Sequence, residues 1–160
     1  MPFRNREHAA RELARKLRAC KGQNPLILAI PRGAVPMGKI LADELDGELD
    51  VVLVHKVGAP ENPEYAIGAV SENGEVVLRR EAEMEGFSRA WAEEEGERQL
   101  ATLRRRRARF TPERPPVDPR GRLVIVVDDG IATGATFKSA LSVVRARQPR
   151  KLIAAVGVAP

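Results

Sequence analysis

Two adjacent acids, Asp128 and Asp129, close the apolar run Val124-Ile125-Val126-Val127 and are followed by Gly130-Ile131-Ala132-Thr133-Gly134-Ala135-Thr136. An unbroken apolar run of this kind describes a strand buried on both faces. Its carboxyl end presents the acids, and in open α/β sheets the ligand crevice lies at that end. Paired carboxylates are poor partners for a phosphate but good acceptors for the vicinal hydroxyls of a sugar. The small-residue turn from Ala132 to Thr136 then leads into a helix. Its backbone N–H groups and the helix start suit a phosphate, and Thr133 and Thr136 add hydroxyl donors. Gly134 lets the backbone approach without a side chain intervening. Acids for hydroxyls and a threonine–glycine loop for a phosphate, about one ribose apart, describe a 5-phosphoribosyl group. The plain alternative is a polar turn and a capped helix with no ligand. Side-by-side acids at a buried strand end repel one another, which a purely structural turn has no need to tolerate.

Other candidates sit after two further apolar runs. Pro31-Arg32-Gly33-Ala34 makes a turn after Leu26 to Ile30, and Lys56 follows Val51 to His55. A Pro-Gly turn and a lysine after a strand have ordinary structural explanations as well. Tyr65 fits stacking on a base and simple packing equally. Gly33-Ala34-Val35-Pro36-Met37-Gly38-Lys39 has the glycine and lysine spacing of a P-loop. Against that, Ile40 stands where a hydroxyl should meet magnesium, and Pro36 removes an N–H that a phosphate cradle would use.

The elements that must position these residues follow from capping and periodicity. Asn5 can cap a helix with Ala9, Leu13 and Leu17 on one face. Leu26 to Ile30, a helix reaching Leu45, and Val51 to His55 read as a strand–helix–strand crossover. Lys56 to Glu64, with two prolines and a glycine, reads as a loop. Ala66 to Val70 and Glu75 to Leu78 flank Asn73-Gly74, a strong hairpin signal. Ser88 can cap a helix to about Phe110, and the proline-rich stretch Thr111 to Gly121 connects it onward. The strand Leu123 to Val127, a helix Thr136 to Arg147 and a buried strand Leu152 to Val158 complete the chain. The expected fold class is α/β, a single open, mostly parallel sheet flanked by helices, with an attached β-hairpin and a long helix. One domain across residues 1–160 is expected.

Composition narrows the function classes. The chain has 160 residues, 43% hydrophobic and 31% charged, as in soluble globular proteins. No apolar run reaches the roughly 20 residues of a membrane span, and the polar start carries no signal-peptide pattern. The expected location is cytoplasmic, with no membrane partner. Cys20 stands alone, which excludes an internal disulfide, and with only His8 and His55 a structural zinc site has too few ligands. The net charge of +5 suits a polyanionic ligand of any size. The run Arg104 to Arg107 follows the acids Glu93 to Glu97 on one predicted helix, matching the helix dipole. It reads as a solvated helix end rather than an RNA-binding patch, and nucleic acid is not an expected partner.

The stretch Val124 to Thr136 resembles the motif of type I phosphoribosyltransferases that binds 5-phosphoribosyl-1-pyrophosphate (PRPP): an apolar strand, two acids, then a short loop ending Thr-Gly-x-Thr. Pro31-Arg32-Gly33-Ala34 resembles the pyrophosphate loop of that family. His55 to Val70 is similar to a bacterial subgroup whose substrates are poorly defined. The resemblance spans Leu26 to Pro160 and implies transfer of ribose 5-phosphate from PRPP to a nitrogen acceptor, a nucleobase, with release of pyrophosphate. It implies PRPP contacts from Arg32, Gly33, Asp128, Asp129, Ala132, Thr133, Gly134, Ala135 and Thr136, and a catalytic set of Asp128, Asp129 and Lys56. The implied cofactor is Mg2+ carried by pyrophosphate and ribose hydroxyls, with no metal ligand from the protein itself. The segment Lys56 to Glu64, or the hairpin after it, is expected to close over the site. Two further readings stay open, a PRPP-binding regulator that contacts RNA and an inactive engineered scaffold of the same fold. The chain stops at Pro160, directly after an apolar strand, where family members usually continue. A truncated form and a homodimer that covers the last strand are the corresponding expectations.

Overall fold

The computed structural model of the chain describes residues 3–130 and 134–157. In chain order the elements are α1 (Arg6–Lys16), β1 (Leu26–Ala29), α2 (Val35–Leu45), β2 (Glu48–Val51), β3 (Val54–Gly58), β4 (Ala66–Ser71) and β5 (Val76–Leu78). Then follow α3 (Arg80–Met84), α4 (Arg89–Phe110), β6 (Leu123–Asp128), α5 (Ala135–Ala146) and β7 (Lys151–Val156). They pack as two units, one from Met1–Val52, Pro116–Phe137 and Arg147–Pro160, the other from Leu53–Pro115 and Lys138–Ala146.

The first unit carries a parallel four-stranded sheet in the order β2-β1-β6-β7. β1 pairs with β6 from Leu26 opposite Val124 to Ala29 opposite Val127. Both inner strands are apolar and buried along nearly their whole length, as strands covered on both faces must be. The Asn5 carboxamide oxygen accepts from the His8 N–H at 2.8 Å and starts α1, which buries Ala9, Ala10 and Ala14. α2 turns Met37, Leu41 and Leu45 into the same core and ends at Asp46, whose φ of 51° breaks the helix. Asp50 is buried, and its carboxylate accepts from the Val117 N–H at 2.9 Å, pinning the proline-rich connection to β2.

The second unit carries an antiparallel sheet in the order β3-β4-β5. Gly74, with φ of 85°, turns the β4–β5 hairpin as Asn73-Gly74 predicts. α4 packs on this sheet, capped by the Ser88 hydroxyl accepting from the Trp91 N–H at 3.2 Å. Gly96 permits the approach, since a Cβ there would lie 2.6 Å from Val76 Cγ2.

The mostly parallel sheet, the hairpin and the long helix are as expected, and four details differ. The run Val51 to His55 is not one strand. It ends β2, passes through Val52 and Leu53, and begins β3 in the other sheet. An unbroken apolar run does not record where the chain leaves one sheet for another. Lys56 to Gly58 accordingly belongs to β3, not to a loop, with a register shift at Val57 and Gly58. β7 is an edge strand on which Leu152 and Ile153 are only partly buried, so it is not the fully covered strand its composition suggests. The end expected for it, Val158, lies outside the described residues. Lastly, the solvated helix end read from Arg104 to Arg107 holds for Arg104 and Arg105, which are exposed, but not for Arg107. Successive helical residues are about 100° apart, so the run spreads around the axis. Arg107 is buried and paired with Glu72. No described helix is long and apolar enough to cross a membrane.

Candidate functional site

Backbone pairing brings the two predicted loops of the first unit together. Asp128 is the last residue of β6, opposite Val156 of β7. The Ile30 N–H donates to the Val127 carbonyl at 3.0 Å, which carries the turn after β1 alongside the end of β6. In that turn the Pro31–Arg32 peptide bond is cis, and the Arg32 side chain is exposed. Gly33 faces the Asp129 carboxylate so closely that an added Cβ would lie 2.7 Å from Asp129 Cγ and collide with Oδ2. Only glycine fits there while Asp129 keeps its position. Gly157 closes the third side, its N–H donating to the Asp128 carbonyl at 3.2 Å.

The acid pair is electrostatically uneven. Arg6, in the first turn of α1, donates from Nε to Asp129 Oδ2 at 3.0 Å, and its Nη2 lies 2.8 Å from the same oxygen. Asp128 Oδ1 accepts the Asp129 backbone N–H at 2.8 Å. Burial of Asp128, and then the side chain of Asp129 beside it, push the Asp128 carboxyl above the usual carboxylate range, with backbone N–H groups offsetting part of the rise. A carboxyl with a raised folded-state pKa favours folding on the acid side, and the advantage is lost as pH rises through that pKa. Asp128→Asn is therefore expected to raise the melting temperature at pH 7. The gain should vanish below about pH 4, where the unfolded-state carboxyl is itself protonated. Calorimetric scans of both proteins across that range check it, and an unchanged or lower melting temperature at pH 7 would contradict it.

Gly134 has φ of 80° and stands directly before α5, with Ala135 and Thr136 exposed in its first turn. The predicted phosphate-loop residues Ala132 and Thr133 lie outside the described residues. Lys56 belongs to the second unit, on β3, with its ammonium 4.0 Å from the Glu64 carboxylate. Tyr65, in the same unit, donates to Glu85 Oε1 at 2.9 Å, and its ring lies 5.6 Å from the Arg79 guanidinium carbon. The P-loop alternative fails on geometry: α2 has already begun at Val35, so Met37, Gly38 and Lys39 are helical rather than a phosphate-wrapping loop. Lys39 pairs with Asp43 at 3.4 Å.

Arg6 and Gly157 were not legible as site residues in the sequence. Nothing local marks a first-turn arginine as the partner of an acid in another element. For a metal, the described residues hold no cluster of three or more His, Cys, Asp or Glu side chains. Asp128 and Asp129 supply hard oxygen donors, which suit Mg2+ only as a minor part of a shell completed by substrate oxygens and water.

A family model described as phosphoribosyl transferase domain matches residues 3–160. A Mycobacterium tuberculosis protein named "Putative phosphoribosyl transferase Rv0571c" is 41% identical over 159 residues, 99% of this chain and 36% of its own length. The chain thus spans little more than a third of that relative. The crystal structure of TT1426 from Thermus thermophilus is 47% identical, with a TM-score of 0.87 over 98% of this chain and 75% of that one. A purine phosphoribosyltransferase from Pyrococcus horikoshii is 17% identical, with a TM-score of 0.53 over 94% of this chain and 71% of its own, a likeness of fold alone.

Proposed function

The chain belongs to the phosphoribosyl transferase domain family, and on that footing we propose that it binds PRPP and transfers ribose 5-phosphate to a nitrogen acceptor, a nucleobase, releasing pyrophosphate. The observation that carries this reading is the acid pair at the end of β6, set against the glycine turn after β1. Breaking the bond at the anomeric carbon develops positive charge on the sugar and negative charge on the leaving pyrophosphate. Positioning and electrostatics suffice for such a reaction without a covalent nucleophile. Asp128 and Asp129 accept hydrogen bonds from the ribose hydroxyls and favour the developing cation. Arg32 and the Gly33 backbone hold the pyrophosphate, and Lys56 takes the cationic role that the family resemblance gives it. Ala132 to Thr136 hold the 5-phosphate. Magnesium, when bound with the substrate, neutralises pyrophosphate charge.

PRPP with magnesium is expected to raise the melting temperature while ATP does not. A ligand at about 100 times its dissociation constant adds roughly 2.7 kcal/mol. Thermal denaturation with each ligand decides it. Equal stabilisation by both, or by neither, would remove the assignment.

A further inference from the structure

A cavity of about 500 Å³ opens beside Asp129 in the first unit. That volume lies within the usual range for small-molecule sites. Asp129 stands on its edge, while Phe3, Met37 and Ala9 give it apolar walls. Two cations, Arg4 and Arg6, line the same space. Arg6 is engaged by Asp129, with Nε donating to Oδ2 and Nη2 at 2.8 Å from the same oxygen. A guanidinium carries several N–H donors, so most of those on Arg6 are left over from this pair. Among the lining residues the charges are two arginines against one carboxylate, an excess of one positive charge.

We propose that this cavity is the acceptor subsite and takes a planar ring bearing an anionic group, held by Arg4 and the remaining Arg6 donors. The proposal rests on the transferase reading above, because it is the placement of ribose at Asp129 that puts this cavity next to the reacting carbon. The apolar walls suit the faces of a ring, and the arginines suit a carboxylate or an ionised ring oxygen at its edge. Arg6 would then touch both partners, orienting an acid that meets the ribose and an anion on the acceptor. An acceptor without negative charge leaves the excess cation unanswered, so the site discriminates by charge.

Benzoate and benzamide, planar and nearly equal in shape, separate charge from size. Calorimetric titration of each into the protein, with and without magnesium PRPP, is the test. Benzoate is expected to bind roughly tenfold more tightly than benzamide, the scale of one charge-assisted hydrogen bond, and to bind alongside PRPP. Arg4→Ala should reduce that preference, and Arg4→Ala with Arg6→Gln should abolish it. Arg4 is not part of the Arg6–Asp129 pair, so PRPP should still stabilise the Arg4→Ala protein. Equal binding of the two probes, or a preference that survives the double substitution, overturns the proposal. Mutual exclusion of benzoate and PRPP also overturns it, by placing the anion in the PRPP subsite. If PRPP fails to stabilise the wild type, the transferase reading itself falls, whatever the probes do.

Discussion

Asp128→Asn combined with Asp129→Asn is expected to weaken ribose 5-phosphate binding by roughly 2–3 kcal/mol, some thirtyfold or more, while sulfate binding stays near wild type. The acids are assigned to hydroxyls, and an amide oxygen is a weaker acceptor than a carboxylate. Asparagine keeps the volume of each side chain. The substitutions also remove the charge that Arg6 grips and the burial penalty on Asp128. Those two changes act on stability in opposite senses, so binding and stability must be read separately. Thr133→Ala with Thr136→Ala should weaken both ligands, because the phosphate is the group they share. Titration calorimetry with both ligands on both variants completes the comparison. An acid pair indifferent to the sugar would show the division of labour to be wrong.

Arg107→Ala should cost about 3 kcal/mol of stability, the low end of the effect of breaking a buried ion pair. Arg107 holds Glu72 through both ends of its guanidinium, Nε to Oε1 at 2.6 Å and Nη2 to Oε2 at 2.8 Å. It also donates to the Thr111 hydroxyl at 3.0 Å, just past the end of α4. The side chains are only 10% and 14% exposed, so truncating the arginine leaves a carboxylate with little water to replace its partner. Replacing the pair together, Arg107→Met with Glu72→Leu, should restore most of the loss, since no charge is then stranded. Urea denaturation of the single and double variants measures both. Equal losses in the two would mean that packing of the arginine stem, not its charge, holds this part of the second unit.

How far the sequence predicted these features depended on how local each one is. The Asn5 and Ser88 caps, the Asn73-Gly74 turn and the buried strand before Asp128 are written within a few residues of where they act, and each forms as expected. The pairing of Gly33 with Asp129 was only implicit, because it depends on β1 lying beside β6. Arg6 looked like any exposed charge on an amphipathic helix. Its role comes from an acid 123 positions away. Arg107 illustrates the same limit in reverse: four consecutive arginines suggest a charged surface, yet one of them faces the sheet and a glutamate on the β4–β5 hairpin. The split of Val51 to His55 between two sheets is likewise a tertiary decision, since β-branched residues suit either.

The interrupted path of the first unit bears on the order in which the chain can fold. Leu26 must find Val124, and between them runs the whole segment Leu53–Pro115 of the second unit. During synthesis β1 and β2 emerge long before the strand that will lie on β1's other side. Until β6 arrives, the four apolar residues of β1 have one strand edge unpaired. The intervening segment, with its hairpin, β3 and α4, makes its contacts over much shorter separations and can form early. If it forms first, it shortens the effective loop that β1 and β6 must close. The entropic gain is modest, since loop closure changes by only about 0.6 kcal/mol per doubling of length. Folding rates also fall as native contacts become more distant in sequence. The acid pair cannot meet its glycine before β6 joins β1.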